Sequence, residues 1–159
     1  MIALRAAVES LILRPDKTLL CICLERHGGW TLPGGLVEPK ESSLQALRRT
    51  LEWQTALKTA GASLVYLAPR LPPRRPSLGV ALHVYRVKPY GVEPRATKRL
   101  EVRWMTFDEF LRVAAFADFY ERMRASSVDV STPSITRSQL VKAKAFARNQ
   151  EPPSQELRP

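Results

Sequence analysis

The sequence of 159 residues lacks any apolar run long enough to form a membrane-spanning helix. Such a helix needs about 20 consecutive apolar residues, and no window of this chain approaches that length without interruption. The first residues, MIALRAAVESLILRPDK, alternate as a strand does and include Glu9, which suits neither a secretory signal nor a long transit peptide. We therefore expect one domain followed by a tail, with no membrane partner.

Residues that bind metals or act as nucleophiles are scarce, with two cysteines and two histidines in the chain. Cys21 and Cys23 stand two apart on a predicted strand, where they share a face in a geometry that disfavours a mutual disulfide. No second Cys or His pair stands at metal-ligand spacing. His27 and His83 have no evident Asp partner, so a nucleophilic triad is not expected. Packing is the predicted role of both cysteines.

Acidic residues are outnumbered, because 25 Lys and Arg face 15 Asp and Glu, which gives a formal net charge of +10 at pH 7. A protein that lies against a phosphate backbone gains affinity from such an excess by releasing counterions. The charge therefore favours RNA binding, and a merely basic surface is the alternative. The basic residues concentrate in three groups: Arg70, Arg74 and Arg75; Arg95, Lys98, Arg99 and Arg103; and Arg137, Lys142, Lys144 and Arg148.

The first half of the chain predicts two strands and a helix. Residues 4–14 and 18–24 are short apolar runs separated by the turn sequence PDK. A loop with the sequence LPGG follows, and Ser42 with Gln45 three residues later fits a capping box. The helix that begins there is expected to stop at Gly61.

The second half predicts three further strands and one helix. The segments SLVYLA and LGVALHVYRV are joined by the proline-rich loop PRLPPRRP, and apolar residues on both faces place the second strand inside a sheet. A strand near residues 102–105 leads to Thr106, the predicted cap of one amphipathic helix that contains Phe107, Phe110 and Phe119. Beyond Ala125 the composition turns to Ser, Thr, Pro, Gln and basic residues, which indicates a tail.

The loop and first helix carry much of a known motif: Gly, five residues, Glu, seven residues, then Arg-Glu-hydrophobic-any-Glu-Glu-any-Gly-hydrophobic. Gly35, Glu41, Arg49, Leu51 and Leu57 fall on this spacing. With the sequence WTLPGGLVEPKES and the late segment EVRWMTFDEF, the chain resembles the Nudix hydrolase family over about residues 3–125. The resemblance implies an α/β/α sandwich around a mixed β-sheet, with a Nudix-like domain over residues 1–125 and a basic C-terminal extension over residues 126–159.

The residues that hold metal in that family are replaced here. The resemblance implies that three acids after the motif arginine bind divalent cations, commonly magnesium, over a substrate diphosphate. Their positions are spaced i, i+3 and i+4, so the side chains converge, and converging carboxylates are what a hard cation requires. The three positions carry Thr50, Trp53 and Gln54, and Ala56 replaces the second motif glycine. We expect the indole of Trp53 to fill or cover the cavity.

The retained motif residues are predicted to be structural. The resemblance implies that Gly34, Gly35, Glu41 and Arg49 shape the junction between loop and helix. Glu52 points about 150° away from the lost acids on a helix of 3.6 residues per turn, so it cannot replace them. Its predicted role is an ion pair with Arg48 one turn earlier.

These observations predict a catalytically inactive Nudix-fold protein without a cofactor, which acts as an RNA-associated structural subunit of a ribonucleoprotein assembly. A mitochondrial ribosome or mitochondrial RNA-processing complex is the predicted assembly, and the cytoplasm is the other compartment considered. Two alternatives remain open. One is a magnesium-dependent hydrolase of nucleoside diphosphate derivatives, whose rearranged site uses Glu101 or Glu93. The other is a non-catalytic scaffold or ligand sensor.

Overall fold

The computed structural model describes residues 4–24, 28–72, 74–91, 93–95 and 100–140, and Lys98, Arg99, Lys142, Lys144 and Arg148 lie outside them. In chain order, the elements are β1 (Arg5–Leu11), β2 (Thr18–Leu24), β3 (Gly29–Thr31), β4 (Gly34–Leu36), α1 (Ser43–Thr55), β5 (Lys58–Arg70), a 3-10 turn (Pro76–Leu78), β6 (Val80–Tyr90), β7 (Leu100–Thr106), α2 (Phe107–Val113) and α3 (Ala117–Ala125). No helix in these ranges is long and apolar enough to cross a bilayer.

The strands form two sheets. The four-stranded sheet has the order β4-β1-β6-β5, and the three-stranded sheet has the order β3-β2-β7. The larger sheet is mixed, because β1 runs parallel to β6 and antiparallel to β4, while β5 runs antiparallel to β6. The internal position predicted for β6 from its two apolar faces is confirmed, and so is the mixed α/β fold.

Two apolar clusters pack the sheets against the helices. One joins both sheets to α2 and α3 and contains Leu11, Phe110 and Tyr120. The other joins both sheets to α1 and contains Val8 and Leu51. Successive strand residues point to opposite faces, so β1 supplies side chains to both clusters and lies between them. Residues 7–11 of β1 are therefore buried, and this burial constrains any polar side chain among them.

Helix α1 begins where the sequence predicts and ends earlier. The Gln45 backbone N–H donates to the Ser42 hydroxyl at 3.1 Å, and the Ser42 N–H donates to the Gln45 side chain at 2.8 Å. This reciprocal pair confirms the capping box. The predicted stop at Gly61 is wrong. The helix ends at Ala56, which adopts a left-handed conformation with φ of 61°, and its N–H donates to the Glu52 carbonyl. Gly61 lies in β5 beside a β-bulge.

The single helix predicted after Thr106 is also corrected, because the structure has two helices there. The backbone of Ala114 forms a bridge with Trp30, and the Ala115 N–H donates to the Trp30 carbonyl at 3.0 Å. These contacts hold the segment between α2 and α3 beside β3 in a non-helical conformation. The apolar periodicity continues through the break, so periodicity alone did not reveal it.

The first part of the C-terminal extension packs on the rest of the chain. Ile135 is buried in the cluster beneath α1, and its N–H donates to the Leu13 carbonyl at 3.1 Å. The Arg86 guanidinium donates to the carbonyls of Asp129 and Thr132. A change in composition at residue 126 therefore does not mark the end of packed structure among the described residues.

Replacement of Ala56 by glycine should stabilise the fold. A side chain at a left-handed position is strained by about 1–2 kcal/mol, and the greater freedom of glycine in the unfolded chain offsets part of the gain. We expect Ala56→Gly to raise the free energy of unfolding by about 0.5–1 kcal/mol in urea titration. Ala62→Gly in β5 is the matched control and should lower it by a similar amount. A loss of stability in both variants would contradict the assigned cap.

Candidate functional site

The motif remnant forms a junction between β4 and α1, and Gln54 ties the two together. The Gln54 side chain is 4% exposed. Its Oε1 accepts a hydrogen bond from the Gly34 N–H at 2.8 Å, and its Nε2 donates to the Gly34 carbonyl at 2.8 Å. One carboxamide therefore satisfies a backbone donor and a backbone acceptor at once. A carboxylate only accepts hydrogen bonds and would leave an oxygen facing that carbonyl.

Thr50 lies one turn before Gln54 and is also buried. Its hydroxyl donates to the Ala46 carbonyl at 2.8 Å within the helix. A Cβ added to Gly35 would stand 3.2 Å from the Thr50 methyl group, and a Cβ added to Gly34 would collide with the backbone of β1. The two glycines therefore permit the close approach of β4 to both β1 and α1.

Trp53 does not occupy the place that the sequence suggested. Its side chain is 67% exposed, so the prediction that the indole fills or covers a cavity is corrected. Position 53 lies on the solvent side of α1, and the neighbouring motif positions 50 and 54 face the sheet. The three positions that carry acids in the family are thus divided between the interior and the surface.

Glu41 and Arg49 connect the loop to α1. The Arg49 Nε and Nη2 donate to the two Glu41 carboxylate oxygens at 2.8 and 2.9 Å, and Nη2 also donates to the Leu36 carbonyl at 2.9 Å. These hydrogen bonds from Arg49, with one from the Glu38 N–H, lower the pKa of Glu41 to about 2. The carboxylate consequently stays charged at any pH above that value, and the link persists.

The Arg48–Glu52 pair expected from the sequence is absent from the ion pairs found in the described part of the chain. Both side chains are exposed. An exposed pair at this spacing contributes only about 0.2–0.5 kcal/mol, which is too little to fix two long side chains. Glu52 remains remote from the buried face of α1, as its helical position predicts.

A buried polar triad lies directly beside the Gly34 junction. The Glu9 carboxylate accepts a hydrogen bond from the Tyr120 hydroxyl at 2.5 Å and an ion-paired hydrogen bond from Arg70 Nη1 at 2.6 Å. Arg70 Nη1 also lies 3.2 Å from the Tyr120 oxygen. Burial raises the pKa of Glu9, and Arg70 and Tyr120 oppose that rise. The Glu9 Cγ would lie 2.8 Å from a Cβ on Gly34.

Arg70 is therefore corrected from a phosphate-binding loop residue to an interior residue at the end of β5. Its side chain is 12% exposed, and its guanidinium lies 4.2 Å from the Phe116 ring centre. Because it is paired with Glu9, withdrawing it to contact RNA would leave a buried carboxylate without its cation. Arg70 is removed from the predicted RNA-binding set.

Sequence reasoning missed this triad because its members are distant along the chain. Glu9 stands 61 positions from Arg70 and 111 positions from Tyr120. The one local signal was a glutamate within the largely apolar run AAVESLIL, on the first predicted strand. A carboxylate at such a position requires a buried cation or donor, and this requirement would have prompted a search for an arginine partner.

A cavity of about 520 Å³ adjoins the triad. Its lining includes Arg70, Phe116, Phe119 and Arg122, together with Leu71 at the end of β5. The two arginines and two aromatic rings give this space both polar and apolar walls. A cavity of this size is within the range that holds small ligands.

The other basic residues of the prediction do not converge with the motif remnant. Arg74 and Arg75 are exposed in the connection between β5 and β6, and Arg137 is exposed in the extension. Arg95 is exposed near the end of α1, where its N–H donates to the Thr55 carbonyl at 2.8 Å. Arg74 and Arg75, Arg95, and Arg137, which belong to the three predicted basic groups, thus lie at separate places on the chain.

Glu101, the proposed replacement ligand, is directed away from α1. Its neighbours Val102 and Trp104 pack against the cluster beneath α1, and alternate strand residues face opposite sides. Glu101 is exposed and lies 3.7 Å from Arg103. Glu93, the other acid considered, lies 3.5 Å from Arg14. Neither carboxylate is placed with Thr50 and Gln54.

A family model described as "NUDIX domain" matches residues 3–125. The chain belongs to the Nudix family. A "MutT-like protein" of Streptomyces ambofaciens is 29% identical over 104 residues, which are 65% of this chain and 64% of the relative. The chain therefore matches less than two thirds of that relative's length.

Solved structures agree with this fold. The chain is similar to a MutT protein from Methanosarcina mazei Go1, with a TM-score of 0.64, 20% identity, and coverage of 79% of this chain and 96% of that one. It is also similar to the E. coli ORF135 protein, with a TM-score of 0.59, 24% identity, and coverage of 79% and 94%. At these identities the likeness concerns the fold alone.

Magnesium, the cation that Nudix hydrolases typically use, does not fit the residues on α1 of this Nudix chain. A hard cation takes carboxylate and carbonyl oxygens. Here the Thr50 hydroxyl is engaged by the helix backbone, and the Gln54 amide places a donor against the Gly34 carbonyl. The groups of Thr50 and Gln54 that could serve as metal ligands are therefore uncharged and already hydrogen-bonded within the protein.

Replacement of Gln54 by glutamate should destabilise the protein at neutral pH. The change removes the bond to the Gly34 carbonyl and buries a charge, so we expect Gln54→Glu to lower the free energy of unfolding by about 3 kcal/mol. Burial raises the pKa of the introduced carboxyl above about 4.3. The loss of stability in Gln54→Glu should therefore become smaller as the pH falls, because the protonated carboxyl group can again donate a hydrogen bond to the Gly34 carbonyl.

Urea titrations between pH 4.5 and 7.5 measure this effect. Gln45→Glu is the matched control on the same helix, because the Gln45 oxygen only accepts from the Ser42 N–H. That variant should stay within about 0.5 kcal/mol of the parent. Equal losses in both variants would show that the Gln54 amide has no special role.

Removal of the Arg70 charge should destabilise the fold strongly. Arg70→Gln leaves the buried Glu9 carboxylate without its cation, and breaking such a pair costs about 3–5 kcal/mol. Thermal and urea unfolding measure the loss. Arg75→Gln, in the exposed connection, is the control and should change stability by less than about 0.5 kcal/mol. Equal stability of the two variants would contradict the interior role of Arg70.

Proposed function

We propose that this Nudix-family chain acts by binding and not by magnesium-dependent hydrolysis. The observation that carries the proposal is the pair of 2.8 Å hydrogen bonds between the Gln54 amide and Gly34. Metal ions stabilise developing charge by several kcal/mol in reactions of this type, and about 1.4 kcal/mol is a tenfold change in rate. A neutral, internally paired face on α1 supplies none of that stabilisation.

We further propose that the bound partner is RNA within a ribonucleoprotein assembly, for which a mitochondrial ribosome or RNA-processing complex stays our prediction. The net charge of +10 supports this proposal, as do the exposed side chains of Arg74, Arg75, Arg95 and Arg137. Each phosphate neutralised by such residues releases counterions. The buried Arg70 makes no contribution.

The placement of these arginines restricts the geometry of an RNA complex. Arg74 and Arg75 lie at one end of the hairpin formed by β5 and β6, and Arg95 lies near the other end, beside α1. A strand rises about 3.3 Å per residue, so the ends of a hairpin of this length are roughly 35 Å apart. RNA would therefore contact the chain at separate points along an extended path.

A ligand sensor is the second candidate function. The cavity of about 520 Å³ beside Arg70 and Arg122 supports it, because it provides polar and aromatic walls without a metal. A sensor would bind a small molecule there and would not require RNA. Ligand-induced stabilisation of the purified chain, measured over a panel of nucleotides without magnesium, would favour this function over RNA association.

The proposed function predicts salt-dependent RNA binding and no magnesium-dependent turnover. We expect the full chain to bind single-stranded RNA with an affinity that falls linearly with the logarithm of salt concentration. Fluorescence anisotropy between 50 and 300 mM salt measures the slope. Arg74→Gln combined with Arg75→Gln should reduce the slope by about 1.4, because two phosphate contacts are lost and each contributes about 0.7 on a single strand.

The second measurement that tests the proposed function is the turnover of nucleoside diphosphate derivatives in the presence of magnesium. Magnesium-dependent hydrolysis by the parent chain would defeat the binding proposal. RNA affinity that does not vary with salt, or no RNA binding at 150 mM salt, would defeat the RNA assignment. Neither result would bear on the proposed absence of magnesium-dependent hydrolysis.

A further inference from the structure

One end of the four-stranded sheet bears a small apolar surface surrounded by arginines. The register places the start of β1, the end of β5 and the start of β6 together, because Arg5 and Arg70 both pair with Val80. Around this end, Leu4 is 37% exposed, Leu71 is 47% exposed and Leu78 is 60% exposed. We call the three leucines with Arg5, Arg74 and Arg75 the leucine–arginine tip.

The leucines of the tip are neighbours and not scattered surface residues. A Cβ added to Gly79 would collide with the Leu71 side chain, and the Leu4 Cδ2 would stand 3.1 Å from it. Leu78 precedes Gly79 in the chain and is the most exposed of the three. Leu4 and Leu71 meet around Gly79, so the exposed leucines at this end of the sheet offer a small shared apolar surface to a partner.

The three charged residues of the tip are all arginines, and the exposed Asp118 lines the same cavity as Leu71. No Asp or Glu occurs between Glu52 and Glu93, a stretch that contains β5, β6 and their connection. Arg5, Arg74 and Arg75 are exposed, and none of them joins the ion pairs found in the described part of the chain. The nearby Glu9 is buried and already paired with Arg70. A negatively charged partner would complement these three arginines.

The combination of features favours a lipid surface over RNA. RNA phosphates complement the arginines but leave the leucine side chains without an apolar environment, and leucine offers no ring for base stacking. A bilayer rich in anionic lipids presents negative headgroups above an apolar interior. The connection LPPRRPSL places leucines at both ends of a segment with three prolines. Prolines limit the freedom that the loop loses on docking.

We propose that the leucine–arginine tip docks the chain on anionic lipid bilayers, with Leu71 and Leu78 inserted at the level of the headgroups. Leu4, which immediately precedes β1, adjoins Gly79 together with Leu71 and extends the inserted surface. Arg74 and Arg75 contact the anionic headgroups, and Arg5 lies at the rim. This peripheral docking is separate from the Gln54 junction, but it uses Arg74 and Arg75, which the RNA proposal also uses, so a bilayer and RNA would compete for these two arginines.

Cosedimentation of the full chain with vesicles tests the proposal. The probes are large unilamellar vesicles of phosphatidylcholine with about 30% phosphatidylglycerol, and vesicles of phosphatidylcholine alone. The chain should bind the mixed vesicles and not the neutral ones. Leu78→Ser should weaken binding about tenfold, which corresponds to the removal of one inserted leucine. Each of Arg74→Gln and Arg75→Gln should weaken it about fivefold.

Matched variants separate docking at the tip from general adsorption of a basic protein. Leu44→Ser on α1 and Arg137→Gln in the extension change exposed residues of the same types elsewhere, and both should bind as the parent does. A Leu78→Trp variant should show a blue shift of its added fluorescence on the mixed vesicles. Thermal unfolding of each variant verifies that the fold is retained.

Three outcomes would overturn the proposal. The first is the absence of parent binding to the mixed vesicles at 150 mM salt. The second is Leu78→Ser binding equal to that of the parent, which would show adsorption by charge alone. The third is an equal loss in Arg137→Gln and Arg74→Gln. Tight RNA binding that depends on Arg74 and Arg75, with no vesicle binding, would assign these arginines to RNA.

Discussion

The carboxamide of Gln54 fixes how α1 lies against β4 by bonding to both backbone groups of Gly34. Each of these hydrogen bonds contributes about 1 kcal/mol net, and losing one without replacement would leave a buried polar group unsatisfied. A carboxylate at this position would need a proton or a cation between itself and the Gly34 carbonyl. The amide nitrogen provides the donor directly, so the junction is complete within the protein.

The buried triad of Glu9, Arg70 and Tyr120 lies next to this junction, because Glu9 is on β1, the strand that pairs with β4. Glu9 is buried on the face of β1 that also carries Ala7 and Leu11, and it is tolerated there because Arg70 and Tyr120 satisfy its oxygens. The triad links the middle of β1 to the end of β5 and to α3. Together, the amide junction and the triad make the region of the Nudix motif a set of internally satisfied contacts beside a cavity.

The fold could be predicted largely from local patterns. Ser42 and Gln45 reveal the start of α1, and the apolar faces of β6 reveal its internal position. The helix end could not be predicted, because Ala56 takes a backbone conformation that its residue type disfavours. The break between α2 and α3 depends on backbone contacts with Trp30, which leave no trace in local periodicity.

The site was predicted in part. The motif spacing identified Glu41 with Arg49 and the replacement of three acids, because these relations are local on the loop and on one helix. It could not reveal that Trp53 faces solvent, since exposure depends on how α1 sits on the sheet. The Glu9–Arg70 pair joins strands that are 61 residues apart. Sequence position therefore assigned Arg70 to the surface, and tertiary contacts place it inside.

The central claim, that the α1 face offers no cation site, is tested most directly by paramagnetic broadening. Manganese(II) binds where magnesium does in oxygen-ligand sites and broadens the amide signals of nearby residues. In spectra of the isotopically labelled chain titrated with manganese, signals of Gly34, Gly35, Thr50 and the Gln54 side chain should broaden no more than those of other residues. Selective broadening of these signals at manganese concentrations near that of the protein, reversed by a chelator, would contradict the account.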